Sequence, residues 1–464
     1  MGLSKELKAG MSTVFRKAFI KRMNADGSYE SDWFEITKDV IKFGSIGISI
    51  DASRFNKINF GSNSIVLSNI DGKYNPEDNP SSVWFNYATQ QRSLFKIEAG
   101  YLTSSLGSDG IYKKSEIDNS VWDRSYWDEA NDWDATVVLY KGVISGDVNY
   151  SDKTNVNFNV MPLMEIFRQF PADDLTGFTS TGLTASQLME NIRDHTDGAA
   201  NYVFRPFFEN TTSNWEIEAT TSIYADLNTN SSAALVDLSL WDLIEKISQA
   251  ENYLGYVNSQ GVFRFVSRAA NTTTSQFEFN GPGITTDNTY GVQIKSIKKF
   301  GPKYSKFYSR VSLKYKEADT ISSYQVLQAS LTVDGGNLAW ILGRRSISLE
   351  NTFVATSTVA STLVTNIFND VSSLKKEIEF NTPFVPGLDI LDLCKISYDT
   401  SAVEPENLWD LNNWGDATSV IATGDLIWDL QTGDAIKLDS EEYNLININI
   451  NLDTLENNFI AREN

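Results

Sequence analysis

The chain is poor in the residues from which most catalytic and metal sites are built. Its 464 residues include one cysteine and one histidine. The lone Cys394 excludes an intrachain disulfide and a cysteine-based metal cage, and its apolar surroundings (390–393) predict a buried, inert thiol. The lone His195 excludes a multi-histidine zinc site. Because it falls in a polar segment with helical character, we interpret it as a surface helix residue and not as a catalytic base.

Proline and long apolar runs are also scarce. Only 10 prolines occur in the whole chain, which argues against a linker-rich or disordered protein. No apolar stretch approaches the ~20 residues that span a bilayer, and no signal peptide is visible. We therefore expect no membrane insertion by this chain and expect it to be made and assembled in a cytoplasm.

Positive charge is in deficit, since 39 Lys and Arg residues stand against 60 Asp and Glu residues and the net charge is -21. Such a surface repels phosphate backbones, which argues against tight nucleic-acid binding. The same repulsion would suit a conduit through which DNA slides without sticking. A role in solubility alone explains the charge equally well, and the sequence leaves both interpretations open.

Hydrophobic residues make up 41% of the chain, and 11 tryptophans contribute to an aromatic content of 12%. At ~150 residues per domain, the length allows about three domains. Alternating apolar and polar residues predict strands in the first and last thirds. The strands expected from this alternation lie within 17–60 and at 94–102, 137–140, 156–160, 307–315, 375–380, 391–398 and 442–452. The sequence therefore predicts a mainly β protein with a mixed α+β middle.

Helical spacing of apolar residues appears mostly in the middle of the chain. Leu188 and Ile192 mark one stripe, and Asp237 or Ser239 is a candidate N-cap for another. Pro162 suits the first position of a short helix. The helices expected from these patterns lie at 163–170, 184–197, 237–252 and 353–370. The helix at 237–252 leads into a hairpin whose turn lies near 258–261.

Two inserts rich in Trp-Asp pairs interrupt the strand-rich regions, at 104–135 and 404–435. The segment 131–136 (NDWDAT) is similar to 413–418 (NWGDAT). The first and last thirds are therefore interpreted as duplicated versions of one β unit, each with a decorated loop in a similar place. The candidate interaction or staple residues of the inserts are Trp122, Trp127, Trp133, Asp134, Trp409, Trp414, Asp416 and Trp428.

Three functions remain open for the inserts. A tryptophan can staple a small loop when its N–H bonds a neighbouring aspartate. Tryptophan faces with carboxylates can also bind sugars, and paired carboxylates can hydrolyse glycosides. We favour the structural staple, and we assign no catalytic residue.

Two further motifs resemble ligand sites only superficially. Oxygen-bearing side chains follow the strand that ends at 70, but Gly72 and Lys73 occupy positions that an EF-hand gives to other residues. A turn in which Asx side chains bond their own backbone is the better interpretation. Gly281 and Gly283 flank a proline in a turn that lacks the pattern of a phosphate-binding loop. We therefore predict no metal and no cofactor.

Several stretches together resemble the baseplate and tail hub (tail tip) proteins of tailed phages and gene-transfer particles, a family related to contractile-tail hubs and type VI spike proteins. The most specific stretch is 65–84, IVLSNIDGKYNPEDNPSSVW, which resembles the family's strand followed by an Asp-Gly turn with an Asn-Pro-Ser tail. Similar stretches are 94–101, 139–150, 163–170, 241–265 and 388–398, although the last lacks the family's glycine.

The resemblance implies a homotrimeric hub with two tube-like split β-barrels in each chain. The corresponding division is a first tube-like domain at 1–165, a middle α+β module at 166–290 and a second tube-like domain at 291–464. The implied partners are a tail tube or distal tail protein, a tape measure protein and a central fibre or spike, with DNA only in passage. The implied location is the virion tail tip, and the implied role is structural and non-enzymatic. A non-catalytic receptor- or glycan-binding tail protein and a polysaccharide-degrading tail enzyme remain the alternatives.

Overall fold

The computed structural model describes residues 13–51, 57–70, 72–75, 80, 82–84, 87, 89–102, 136–145, 154–175, 183–197, 199–221, 238–267, 277–281, 291–315, 325–331, 338–351, 353–354, 356–385, 388–399 and 437–463. The strands within these residues are β1 (Thr13–Met23), β2 (Phe34–Glu35), β3 (Val40–Lys42), β4 (Ser45–Asp51), β5 (Lys57–Phe60), β6 (Asn63–Ser68), β7 (Thr89–Leu102), β8 (Thr136–Ile144), β9 (Asn155–Pro162), β10 (Trp215–Ile217), β11 (Tyr253–Val257), β12 (Phe263–Ser267), β13 (Phe277–Asn280), β14 (Gly291–Gln293), β15 (Ser296–Pro302), β16 (Arg310–Tyr315), β17 (Gln325–Ser330), β18 (Ser346–Asn351), β19 (Lys376–Pro383), β20 (Leu393–Asp399), β21 (Lys437–Asn451) and β22 (Glu456–Glu463). The α-helices are α1 (Met164–Arg168), α2 (Ala185–Arg193), α3 (Leu240–Glu251), α4 (Leu338–Leu342) and α5 (Ser357–Val371).

Two large curled sheets dominate the fold, as expected for a mainly β protein with split β-barrels. The first sheet has the strand order β2-β1-β7-β8-β9-β6-β3. The second has the order β14-β13-β20-β21-β22-β19-β15 and is extended by the hairpin β4–β5 through β21. Alternate residues of these strands are buried, which is the period that the sequence shows.

The two large sheets share one topology. When β13, β14, β15, β19, β20, β21 and β22 are matched in chain order with β1, β2, β3, β6, β7, β8 and β9, the two strand orders become identical. Both Trp-Asp inserts then fall in the same connection, between β7 and β8 in one unit and between β20 and β21 in the other. The shared topology confirms the duplication that the inserts indicate.

One strand position differs between the two units. Strand β1 is antiparallel to β7, whereas its counterpart β13 is parallel to β20.

Strand β4 leaves the sheet of its own unit, because it pairs with β21, with Ile48 opposite Ile448. The second sheet is thus completed by a hairpin that comes from the first third of the chain.

The middle of the chain packs helices against a small sheet of order β10-β12-β11. Helix α3 lies against β11, and its apolar stripe is buried. A further small sheet, β17-β16-β18, packs against α5.

Each part of the fold has an aromatic cluster in its core. Tyr74 and Trp84 contact Phe158 in the first unit. Phe167 contacts four aromatic rings of the middle segment: Phe204, Phe208, Trp215 and Phe263. Phe279, Phe380 and Phe459 contact one another in the second unit. Such ring pairs add to the stability that burial of their apolar area provides.

The predicted helices are present, with shorter or shifted bounds. Thr184 caps α2 in a capping box, and Ser239, not Asp237, caps α3 in the same way. The prediction for Pro162 was wrong. Pro162 is the last residue of β9, opposite Gly142, and α1 starts two residues later. A proline is tolerated there because the strand end does not need its N–H.

Gly142 is expected to be intolerant of even a methyl group. A Cβ at this position would clash with the Met161 carbonyl oxygen and would crowd Val160 and Tyr140. Because a backbone atom cannot easily move away, Gly142→Ala is expected to lower the free energy of unfolding by about 1–3 kcal/mol in urea titrations. Gly47→Ala is the matched control, since its Cβ would meet nothing within 4 Å. Equal midpoints for the two variants would contradict this expectation.

None of the helices in the described part of the chain has the length and apolar character that a bilayer span requires.

Candidate functional site

The eight Trp and Asp residues predicted for the inserts lie outside the described residues, so their roles as staples or contacts stay predictions. The structure does establish where the inserts attach. The first insert lies between β7 and β8, and the second lies between the equivalent strands β20 and β21. In each unit the strand after the insert is the central strand of the seven.

The Asp-Gly turn is built by its own side chains, as predicted. The Asn69 Oδ1 accepts a hydrogen bond from the Tyr74 N–H at 2.8 Å, and its amide donates to Asn75 at 2.9 Å. Gly72 adopts a φ of 68°, which a glycine accommodates without strain. The turn places Tyr74 in the core, where its hydroxyl donates to Asp39 at 2.6 Å. The motif therefore has a structural role in the described residues.

The single histidine and the single cysteine are both packed against apolar surroundings. His195 lies beyond the end of α2, so its assignment to a surface helix was wrong. Its ring is half-buried against Phe170 and Phe204, and burial lowers its pKa. Cys394 is buried as predicted. Its thiol donates to the Tyr443 carbonyl, and burial raises the pKa of the thiol, which opposes thiolate chemistry.

An ion pair with a buried lysine joins the first unit to the middle segment. Lys141 on β8 has a side chain that is only 4% exposed, and its Nζ lies 3.0 Å from Glu209. Trp33 donates its indole N–H to the same carboxylate at 3.1 Å. Burial lowers the pKa of Lys141, and the nearby Glu209 opposes this shift. The turn residue Gly261 lies against the Lys141 stem, where a Cβ would clash. We call Lys141, Glu209 and Trp33 the first junction.

A second, partly buried cluster joins the middle segment to the second unit. Arg264 on β12 lies 3.2 Å from Asp389 and 2.7 Å from Glu216. Tyr256 on β11 donates its hydroxyl to Asp389 at 3.0 Å. Burial raises the pKa of Asp389, and Arg264 opposes this shift. These four residues, together with Asp392, form the second junction.

Asp392 is a further carboxyl group of the second junction whose pKa is raised. It accepts a hydrogen bond from the Asp389 N–H at 2.7 Å, and the intervening Leu391 adopts a left-handed φ of 66°. Burial, with a smaller contribution from Asp389, raises the pKa of Asp392 to about 7. Asp392 therefore changes its charge near neutral pH.

The charged groups of both junctions bond one another across segments that are distant in the chain. Within the described residues there is no group of three or more His, Cys, Asp or Glu side chains arranged to hold a metal ion. The chemistry of the two junctions is that of attachment, since the Lys141–Glu209 and Arg264–Asp389 pairs each join two parts of the fold.

Sequence reasoning did not single out the residues of the two junctions. The available signal was a charge inside an apolar run, as for Lys141 in VVLYKGVI and for Asp389 and Asp392 in LDILDLC. A buried charge is stable only when it is paired, so each of these residues implies a partner elsewhere in the chain.

No protein-family model and no curated protein matches this chain. In structure, the chain is similar to solved phage tail proteins over nearly its full length. A tail protein from Neisseria meningitidis MC58 shares 7% identity at a TM-score of 0.46, with 97% of each chain covered. The 43 kDa tail protein of prophage MuSo2 from Shewanella oneidensis shares 10% identity at 0.45, with 96% of this chain and 98% of that chain covered. The prophage tail protein gp18 from Listeria monocytogenes EGD-e shares 8% identity at 0.44, with 97% and 94% covered.

Proposed function

We propose that this protein is a structural component of a phage-type tail, the homotrimeric hub at the tail tip. The observation that carries the proposal is the repetition of one seven-strand sheet order within a single chain. Three chains with two such units each would present six similar units, which matches a six-fold tube through closed cyclic symmetry. The sequence stretches that resemble tail hub proteins support the same function.

In this proposal the chain divides close to the boundaries expected from the sequence (1–165, 166–290 and 291–464), except that β13 counts with the second outer unit because it pairs with β20. The two outer parts act as tube-like units, and the middle module is held between them by the first and second junctions. Burial of Lys141 and of most of Asp389 at the two attachments supports a fixed orientation of the module, because a buried charge that loses its partner is costly.

The hub would join the tail tube or distal tail protein to a central fibre or spike and would contact the tape measure protein. It would also form part of the channel through which DNA is ejected. The net charge of -21 supports passage without binding, because an acidic wall repels phosphate. In this role the protein is a virion component that assembles in the host cytoplasm, with no catalytic residues and no cofactor.

The oligomeric state tests this proposal directly. Native mass spectrometry and light scattering of the purified full chain are expected to show a species of three copies. A map of the particle is expected to show a ring of six similar units at the tail tip. A monodisperse monomer in solution, together with the absence of a ring in the particle, would refute the hub assignment.

A further inference from the structure

In both units, extra strands are inserted in the connection between the third and fourth matched strands in chain order, which are β3 and β6 in the first unit and β15 and β19 in the second. In the first unit this connection is the hairpin β4–β5, and β4 adds to the second large sheet beside β21. Ile46, Ile48 and Ile50 of β4 are buried there. The hairpin inserted in the first unit therefore adds a strand to the sheet of the second unit.

The strands inserted in the second unit form the small sheet β17-β16-β18. Helix α5 covers one face of this sheet, over Val311 and Leu313 of β16. Strand β17 lies at the end of the strand order, so within the described residues it pairs with β16 alone.

Strand β17 lacks the features that normally protect an edge strand. Its sequence, QVLQAS, contains no charge and no proline, and its pairing with β16 has no bulge. Val326 is 55% exposed. The edge strand β15 is different, because it carries Lys298 and Lys299, has a bulge and ends in Pro302. Edge strands without such protection pair readily with another chain.

The register shows which amides of β17 face outward. The N–H of Leu331 bonds the Ser309 carbonyl, and antiparallel pairs alternate between bonded and non-bonded positions. Leu327 and Ala329 therefore point their N–H and C=O groups toward β16. The corresponding groups of Val326 and Gln328 point away from the sheet, toward the open edge.

We propose that β17 adds, as an edge strand, to a β-sheet in the first unit of a second copy of this chain. This inference rests on the proposed hub, in which the second unit of one chain must meet the first unit of the next. The occupant is a second copy because β4, in the equivalent connection, already joins two units within the chain by strand addition. The contact supplies main-chain hydrogen bonds and buries Val326.

Hydrogen exchange of the wild-type oligomer tests the contact without any mutation. At single-residue resolution, the amides of Val326 and Gln328 are expected to exchange at least about a hundredfold more slowly than in an unstructured chain. The amides of Leu327 and Ala329 serve as the internal reference, since they bond β16 in any case. Unprotected Val326 and Gln328 amides in a wild-type trimer would overturn the proposal.

A proline variant tests the same contact through assembly. Gln328→Pro removes an outward N–H and leaves the bonds to β16 in place, because proline is tolerated on an edge strand in that orientation. We expect its trimer to dissociate at a concentration at least about tenfold higher than that of the wild type, as loss of one or two hydrogen bonds predicts. Gln328→Thr is the matched control, because it keeps the N–H and is expected to assemble as the wild type does. Circular dichroism and the thermal midpoint establish that both variants are folded.

The outcomes separate this inference from the proposed function. A wild-type trimer whose assembly is unaffected by Gln328→Pro overturns the β17 contact and leaves the hub intact. A wild-type chain that is monomeric both in solution and in the particle overturns the hub and the contact together.

Discussion

The free energy of unfolding is expected to fall as the pH rises from about 4 to about 7, because Asp392 is buried at the second junction. Its folded-state pKa is raised to about 7, whereas an unfolded aspartate titrates near 3.9. Between these two values the folded protein binds more protons than the unfolded chain, so raising the pH destabilises it. A pKa that is higher by about three in the folded state than in the unfolded state corresponds to about 4 kcal/mol of stability, of which about 2 kcal/mol is lost between pH 5.5 and pH 8.

The variant Asp392→Asn isolates this effect. It keeps an oxygen that can accept the bond from the Asp389 N–H, and it cannot ionise. In urea unfolding, the variant is expected to lack the pH dependence of stability that ionisation of Asp392 causes. At pH 8 it is expected to be more stable than the wild type. Asp32→Asn, which removes an exposed carboxylate outside the second junction, is the matched control for the loss of one carboxyl group. A wild-type stability that rises from pH 5.5 to pH 8 and an unchanged slope in Asp392→Asn would refute this assignment.

Replacing Arg264 by methionine is expected to cost about 3–5 kcal/mol of unfolding free energy at pH 8, because the change leaves a buried carboxylate without its cation. Arg264 contacts Asp389, Glu216 and the Tyr256 hydroxyl. The loss should be smaller at pH 5.5, where Asp389, whose pKa burial raises, more readily takes up a proton.

A double-mutant cycle identifies the partner of Arg264. Adding Asp389→Asn to Arg264→Met is expected to restore part of the lost stability, because the uncompensated charge is removed. Lys314→Met is the matched control for loss of an exposed ion pair, with Glu350 at 3.2 Å, and is expected to cost less than about 1 kcal/mol. Equal costs for Arg264→Met and Lys314→Met would show that the second junction contributes no more than a surface pair.

Much of the local structure could be predicted from residue periodicity. The alternation in 442–452 predicted a strand, and β21 runs through this segment. The stripe of Leu240, Leu243, Ile244 and Ile247 predicted the buried face of α3. These predictions succeeded because burial of one face imposes a period of 2 on strands and of about 3.6 on helices.

Predictions that needed a distant partner were wrong or were not made. Pro162 fits both a helix start and a strand end, and its pairing with Gly142 on β8 decides for the strand. His195 has its ring beside that of Phe204, with 6.2 Å between the two ring centroids, and this contact is not visible in the local sequence pattern. Lys141 and Asp389 are charged residues within apolar runs of the sequence. Their partners are distant in the chain, since Lys141 pairs with Glu209 and Asp389 pairs with Arg264.

The sequence by itself determined that this protein is mainly β, that its first and last thirds repeat one unit, and that it carries a single cysteine and a single histidine. These properties depend on composition, local period and internal similarity, which a single chain displays directly. Only the tertiary structure decided the identical strand orders, the transfer of β4 to the second sheet, the reversed β13, the two junctions and, within the described residues, the edge position of β17. Each of these depends on which residues meet across hundreds of positions, and hydrogen-bond pairing and burial settle that choice only when the whole chain is folded.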